Sequence, residues 1–150
     1  MGKLEASYTV EIQASLTQVY HVAADVANCV IWTPSVEAVE VLEKYPDGTA
    51  RLVEIRADAM VKKTTSILRY AYESPGRITW EQEQGDVKSL VGDWTLTSIG
   101  ETSTRAVYSL VADPGMMLGM LLKGPIEGKV KEFLTKGAAE GLKEHVESNG

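Results

Sequence analysis

Pro125-Ile126-Glu127-Gly128-Lys129-Val130-Lys131-Glu132-Phe133-Leu134-Thr135-Lys136-Gly137-Ala138-Ala139-Glu140-Gly141-Leu142-Lys143-Glu144-His145-Val146 is the stretch on which the fold turns. Ile126, Val130, Phe133, Leu134, Gly137, Ala138, Gly141, Leu142, His145 and Val146 recur at spacings of three and four, which is one face of an amphipathic helix. Gly124 and Pro125 supply a start, because proline at the first helical position gives up an N–H that would be unpaired anyway. Asn149 and Gly150 are the expected stop residues. The opposite face carries Glu127/Lys131, Glu132/Lys136 and Lys143/Glu147, each pair four apart. At about 1.5 Å per residue the helix runs roughly 33 Å, and its apolar stripe needs a partner of similar length.

Working outward from that helix, the rest of the chain supplies a sheet. Leu4, Ala6, Tyr8, Val10 and Ile12 alternate with polar neighbours, as in a half-buried strand. Ser15-Leu16-Thr17-Gln18 reads as a capping box opening a helix with Leu16, Val19, Tyr20, Ala23 and Ala24 inward. Asp25 is expected to cap a second short helix through Ile31, which Pro34 ends by biasing Thr33 towards extended backbone. Strand-like runs follow over Val36–Lys44, Thr49–Ala57, Met60–Tyr72, Arg77–Gln84, Lys88–Ile99 and Thr102–Ala112. Turn residues separate most of them: Pro46-Asp47-Gly48, Ser74-Pro75-Gly76, Gly85-Asp86 and Gly100-Glu101. Connections this short join antiparallel neighbours only, so the six runs form a meander with the first strand on one edge.

Parity predicts the covered face. It holds Leu68, Tyr70 and Tyr72, then Ile78, Trp80 and Gln82, then Leu90, Trp94 and Leu96, then Ala106, Tyr108 and Leu110. In Thr49–Ala57 the odd set Val53, Ile55 and Ala57 is preferred, although Leu52 points the other way. The fold class is therefore α+β: a curved seven-stranded antiparallel sheet wrapped around the last helix, in the order β-α-α-β-β-β-β-β-β-α.

With 150 residues, 44% of them hydrophobic and 24% charged, the chain reads as a single globular domain over 1–150. A net charge of −6 argues against a nucleic-acid partner, which would need clustered Lys and Arg. The lone cysteine, Cys29, rules out an intrachain disulfide and reads as a small buried hydrophobe. The sequence shows neither a signal peptide nor a transmembrane run, so the expected location is cytoplasmic. His21 and His145 lack metal-ligand spacing, and no G-x-S-x-G, H-E-x-x-H or phosphate-loop pattern occurs; no metal or cofactor is expected, and catalytic residues are not identified.

The order of elements comes with particular residues: Ala14-Ser15-Leu16-Thr17-Gln18-Val19-Tyr20, Asp25-Val26-Ala27-Asn28 leading to Trp32, Gly92-Asp93-Trp94-Thr95-Leu96, and Thr104-Arg105-Ala106-Val107-Tyr108 running into Ala112-Asp113-Pro114-Gly115. In these the chain resembles the SRPBCC superfamily, the START-like or helix-grip proteins. Within it the chain most resembles the polyketide cyclase/dehydrase and lipid-transport family, which includes coenzyme Q-binding proteins. The resemblance implies a hydrophobic cavity between sheet and last helix for a lipid, quinone or polyketide-like ligand. The chain would then be a carrier or sequestering protein. Aromatase/cyclase and ribosome-association members of the family are alternatives of other classes. On this reading the cavity residues are Val53, Ile55, Leu68, Tyr70, Tyr72, Trp80, Gln82, Trp94, Leu96, Tyr108, Leu110, Met116, Met117, Phe133, Leu134, Gly137, Ala138 and Gly141.

Three features read two ways. Small residues Gly137, Ala138 and Gly141 either leave volume for a ligand or let helix and sheet approach closely. The tryptophans and tyrosines are either plain core or a cavity lining, and the polar residues interleaved with them (Thr64, Ser66, Gln82, Gln84) strengthen the second reading. Met116-Met117-Leu118-Gly119-Met120-Leu121-Leu122 is either a lid or membrane-touching entrance, or a short buried helix closing the cavity. For aromatase/cyclase chemistry the candidates for orientation and proton transfer are Tyr70, Tyr108, Gln82 and Arg69.

Overall fold

The amphipathic stretch forms one uninterrupted helix from Pro125 to Asn149. A computed structural model describes residues 3–149; Gly150, one of the two expected stop residues, lies outside them. The other, Asn149, ends the helix and donates from its side-chain amide to the His145 carbonyl at 2.8 Å. All three expected pairs close, Glu127–Lys131, Glu132–Lys136 and Lys143–Glu147.

In chain order the elements are β1 (Leu4–Ile12), α1 (Leu16–Ala24), a 3₁₀ helix (Val26–Ile31), β2 (Val36–Lys44), β3 (Ala50–Asp58), β4 (Lys63–Glu73), β5 (Arg77–Gly85), β6 (Ser89–Gly100), β7 (Ser103–Asp113), α2 (Gly115–Leu121) and α3 (Pro125–Asn149). The strands form one sheet in the order β1-β7-β6-β5-β4-β3-β2, antiparallel throughout. β2 to β7 are the expected meander, and β1 adds to its β7 edge with Tyr8 opposite Tyr108 and Val10 opposite Ala106. Ser15 caps α1 as a full capping box with Gln18.

Three local expectations change. Asp25 makes no side-chain cap; its carboxylate accepts instead from the Asn28 amide at 2.7 Å. β4 starts at Lys63 rather than Met60, because Met60 takes a left-handed φ of 71° in a turn whose Asp58 carboxylate accepts the Met60 N–H at 2.8 Å. No glycine or proline marks that turn. The Met-rich stretch, left outside the expected element order, forms the short helix α2, which begins on Gly115 at φ 82° and is followed by Gly124 at φ 69°.

The covered face follows the parity reading, including the odd set in β3: Val53 and Ile55 are buried. α3 packs along β1 and β7, with α1 beside it. Its last turns are tied to β1 by polar contacts: Lys143 donates to the Glu11 carbonyl at 2.6 Å, and the Gln13 N–H donates to Glu147 at 2.8 Å. The outer face of the sheet carries ion pairs. There Arg69 pairs with Glu81 and Glu83, and Arg77 pairs with Asp93.

Candidate functional site

Sheet and α3 do not close completely on each other. Between them, roofed at one end by the 3₁₀ helix and at the other by α2, lies a cavity of about 170 Å³. β-strand alternation puts one side chain in two on its floor, and the strands contribute Ile55, Leu68, Tyr70, Trp80, Trp94, Tyr108 and Leu110. α3 contributes Val130, Leu134 and Ala138, each four residues from the next and so on one helix face. Leu118 and Leu122 come from the inner side of α2 and its end, and pack with Val61, Val87 and Val130 around the tips of two hairpins.

Four aromatic residues of the floor and Trp32 of the roof form a connected row. Ring centroids lie 6.1 Å apart for Trp32 and Trp94, 4.7 Å for Trp94 and Tyr108, 5.5 Å for Tyr108 and Trp80, and 5.6 Å for Trp80 and Tyr70. Trp80 owes its place to Gly92 on the neighbouring strand. A Cβ at Gly92 would come within 2.5 Å of the indole ring, so only glycine leaves that ring lying flat on β6.

Of the residues expected to form the cavity, Ile55, Leu68, Tyr70, Trp80, Trp94, Tyr108, Leu110, Leu134 and Ala138 stand on its wall. The others do not. Val53 and Leu96 are buried in packed core away from it. Tyr72 is turned aside, its hydroxyl donating to the Ala50 carbonyl at 2.6 Å. Gln82 has its amide engaged between Ser66 (3.0 Å) and the Val87 carbonyl (2.9 Å). Phe133 and Gly137 lie half-buried on the flank of α3. Met116 and Met117 are 80% and 81% exposed and stand off the wall, while Leu118 and Leu122 of the same segment are buried against it. At Gly141 the helix backbone lies against the Trp32 carbonyl, with which a Cβ would collide; this glycine serves close approach and leaves no ligand volume.

Several wall residues had no sequence signal pointing to the cavity. Ala23, Val26, Cys29, Trp32, Thr33 and Ser35 come from the end of α1, the 3₁₀ helix and the turn after it, which fold back over the sheet. The short helices that carry Ala23, Val26 and Cys29 were legible; that this segment roofs a cavity depends on where it lands.

Among the described residues the wall holds no Asp, Glu, Lys, Arg or His. Its titratable groups are Cys29, Tyr70 and Tyr108. Burial, then the nearby Asp25 charge, pushes the Cys29 thiol up to about 12. Burial also raises both tyrosines, Tyr70 well above the ordinary phenol value, and Cys29 adds to the effect at each. All three are neutral near pH 7 and act as hydrogen-bond donors. Arg69, a candidate for catalysis, sits on the opposite face of the sheet in its pairs with Glu81 and Glu83. Among the described residues no cluster of His, Cys, Asp or Glu is arranged to hold a metal ion, and no helix is long and apolar enough to cross a membrane.

Solved structures share this architecture. A START superfamily protein from Mycobacterium smegmatis is 20% identical over 97% of this chain and 99% of its own, with a TM-score of 0.84. A protein from Thermus thermophilus is 24% identical over the same shares, also with a TM-score of 0.84. The ZhuI aromatase/cyclase from Streptomyces sp. R1128 is 19% identical over 98% of this chain and 95% of its own, with a TM-score of 0.78. At these identities the likeness is one of fold. No curated protein matches the chain. The family model for polyketide cyclase/dehydrase and lipid transport matches residues 12–135, from the end of β1 into α3, and so takes in nearly the whole of the cavity wall. With its helix-grip fold and most of its length matched, the chain belongs to the polyketide cyclase/dehydrase and lipid-transport family.

Proposed function

We propose that this protein takes up a hydrophobic small molecule in the cavity between sheet and α3, as a carrier or sequestering protein. The observation that carries the reading is an internal space of about 170 Å³ whose wall is apolar, aromatic or neutral-polar. A packed interior normally leaves few voids larger than a water, and each void costs stability, so a persistent apolar one has a use in binding.

The test fills the space from within. Ala138 is 1% exposed and lies on the wall. Ala138→Leu adds apolar volume to the cavity with little change in helix propensity. Stability should stay within about 1 kcal/mol of the parent. Uptake of apolar ligand from a solvent extract, followed by native mass spectrometry, should be lost. A variant that binds as well as the parent would count against the cavity as the binding site.

The similarity to an aromatase/cyclase gives a second reading, polyketide cyclisation. Tyr70 and Tyr108 support it, as donors able to polarise a carbonyl. Arg69 and Gln82 do not, being committed elsewhere. Addition of the protein to an unreduced poly-β-keto chain tests it: altered product rings support cyclisation, unchanged rings oppose it.

A further inference from the structure

The hydroxyls of Tyr70 and Tyr108 take no hydrogen bond from or to a described residue, unlike Tyr45, which donates to the Tyr70 carbonyl, and Tyr72, which donates to that of Ala50. Yet among the described residues no polar side-chain atom is both sealed off and unpartnered. The two hydroxyls therefore keep their free surface, and both residues stand on the cavity wall, Tyr70 only 6% exposed. They flank Trp80, with ring separations of 5.6 and 5.5 Å. Cys29 stands on the same wall, in the 3₁₀ helix. Neither hydroxyl is sealed off, so in this corner of an otherwise apolar space both donors stay open to an acceptor oxygen that enters the cavity.

The cavity's other properties narrow what brings that oxygen. Its wall carries no cation among the described residues, so an anionic head would be desolvated with nothing to pair with it. Its volume of about 170 Å³ is close to that of an apolar protein cavity, about 150 Å³, known to take a benzene ring. We propose that Tyr70 and Tyr108 form a donor subsite for one uncharged acceptor oxygen, and that the ligand is a neutral, ring-sized molecule bearing a carbonyl. This rests on the cavity reading and adds the ligand's chemical class to it. A carbonyl oxygen has two lone pairs, enough for both phenols, and brings no donor of its own that would need an acceptor.

Three probes of nearly one shape separate the possibilities: acetophenone, its hydrocarbon isostere α-methylstyrene, and benzoate. Their dissociation constants are measured by NMR shift titration at neutral pH, with the parent, Tyr70→Phe and Tyr108→Phe. Each variant removes only an oxygen that has no protein partner, so the fold is retained. Acetophenone should bind the parent about tenfold more tightly than α-methylstyrene. Benzoate should bind more weakly than either. The preference for the ketone should shrink in each variant while hydrocarbon binding holds or improves. Equal binding of ketone and hydrocarbon, tight binding of benzoate, or a ketone preference that survives both variants would overturn the donor subsite and leave the cavity reading standing. If none of the probes binds, the cavity reading falls and the subsite with it.

Discussion

Two glycines one helical turn apart on α3 do different things. At Gly141 the nearest group is backbone, the Trp32 carbonyl, which is held by its own chain and cannot step aside for a Cβ. At Gly137 a Cβ would meet only Pro34, with Cγ at 3.7 Å and Cδ at 3.8 Å, an ordinary contact. Gly141→Ala is expected to cost about 2–3 kcal/mol through overpacking, despite alanine's better helix propensity. Gly137→Ala should gain about 0.5–1 kcal/mol, since helix propensity is the larger effect there. Urea unfolding of the two variants gives opposite shifts of midpoint; two shifts of the same sign would contradict this placement. Spacing put both glycines on the inner side of the helix. It could not tell a glycine that admits a neighbour's backbone from one that merely lies beside a proline ring.

At the scale of elements, the grip of sheet on helix is closed at the C-terminal end by Glu147. Its carboxyl is held below the ordinary value of 4.5, chiefly by the Lys143 side chain and then by the Gln13 N–H of the chain leaving β1. A depressed folded-state value means that the contribution to stability is present above the unfolded-state value and is lost as pH falls through the folded one. Glu147→Gln should therefore be less stable than the parent at neutral pH, and the difference should close in acid, once the pH has fallen through the depressed folded-state value. A difference that is the same at both pH values in urea titrations would mean that the contact is not electrostatic. The side chain is 30% exposed, so the effect is small and salt-sensitive. α2 shows the limit of pattern reading at this scale. Its residues are apolar all round, so no period marks which side turns inward. Leu118 and Leu122 reach the cavity while Met116, Met117 and Met120 are exposed, and tertiary contact with Val61, Val87 and Val130 made that choice.

At the scale of the whole molecule, binding and folding are linked, because the cavity exists only when sheet, 3₁₀ helix, α2 and α3 are assembled. A ligand that occupies it binds the folded state alone. At about a hundred times its dissociation constant it adds about 2.7 kcal/mol, or roughly 5–10 °C in melting temperature for a chain of this size. The Ala138→Leu variant should show no such rise. Thermal melts with and without acetophenone check both statements. A probe that binds tightly by NMR yet leaves the melting temperature unchanged would bind the unfolded chain equally well, and so would not need the assembled cavity.

Much of this was determined by sequence. Short-range periodicity specifies the long helix, the six-strand meander and the inward parity of Leu68, Tyr70, Trp80, Trp94 and Tyr108, because each needs only neighbours a few residues away. The capping box and the ion pairs of α3 are local in the same sense. The tertiary structure decided what depends on distant chain meeting: that Trp32 and Cys29 roof the space, that Gly141 is spent on the Trp32 carbonyl, and that Tyr72 and Gln82 find partners while Tyr70 and Tyr108 do not. Inward parity brings a side chain to the covered face. Whether it then faces packed neighbours or open volume is set by what the other elements fail to fill.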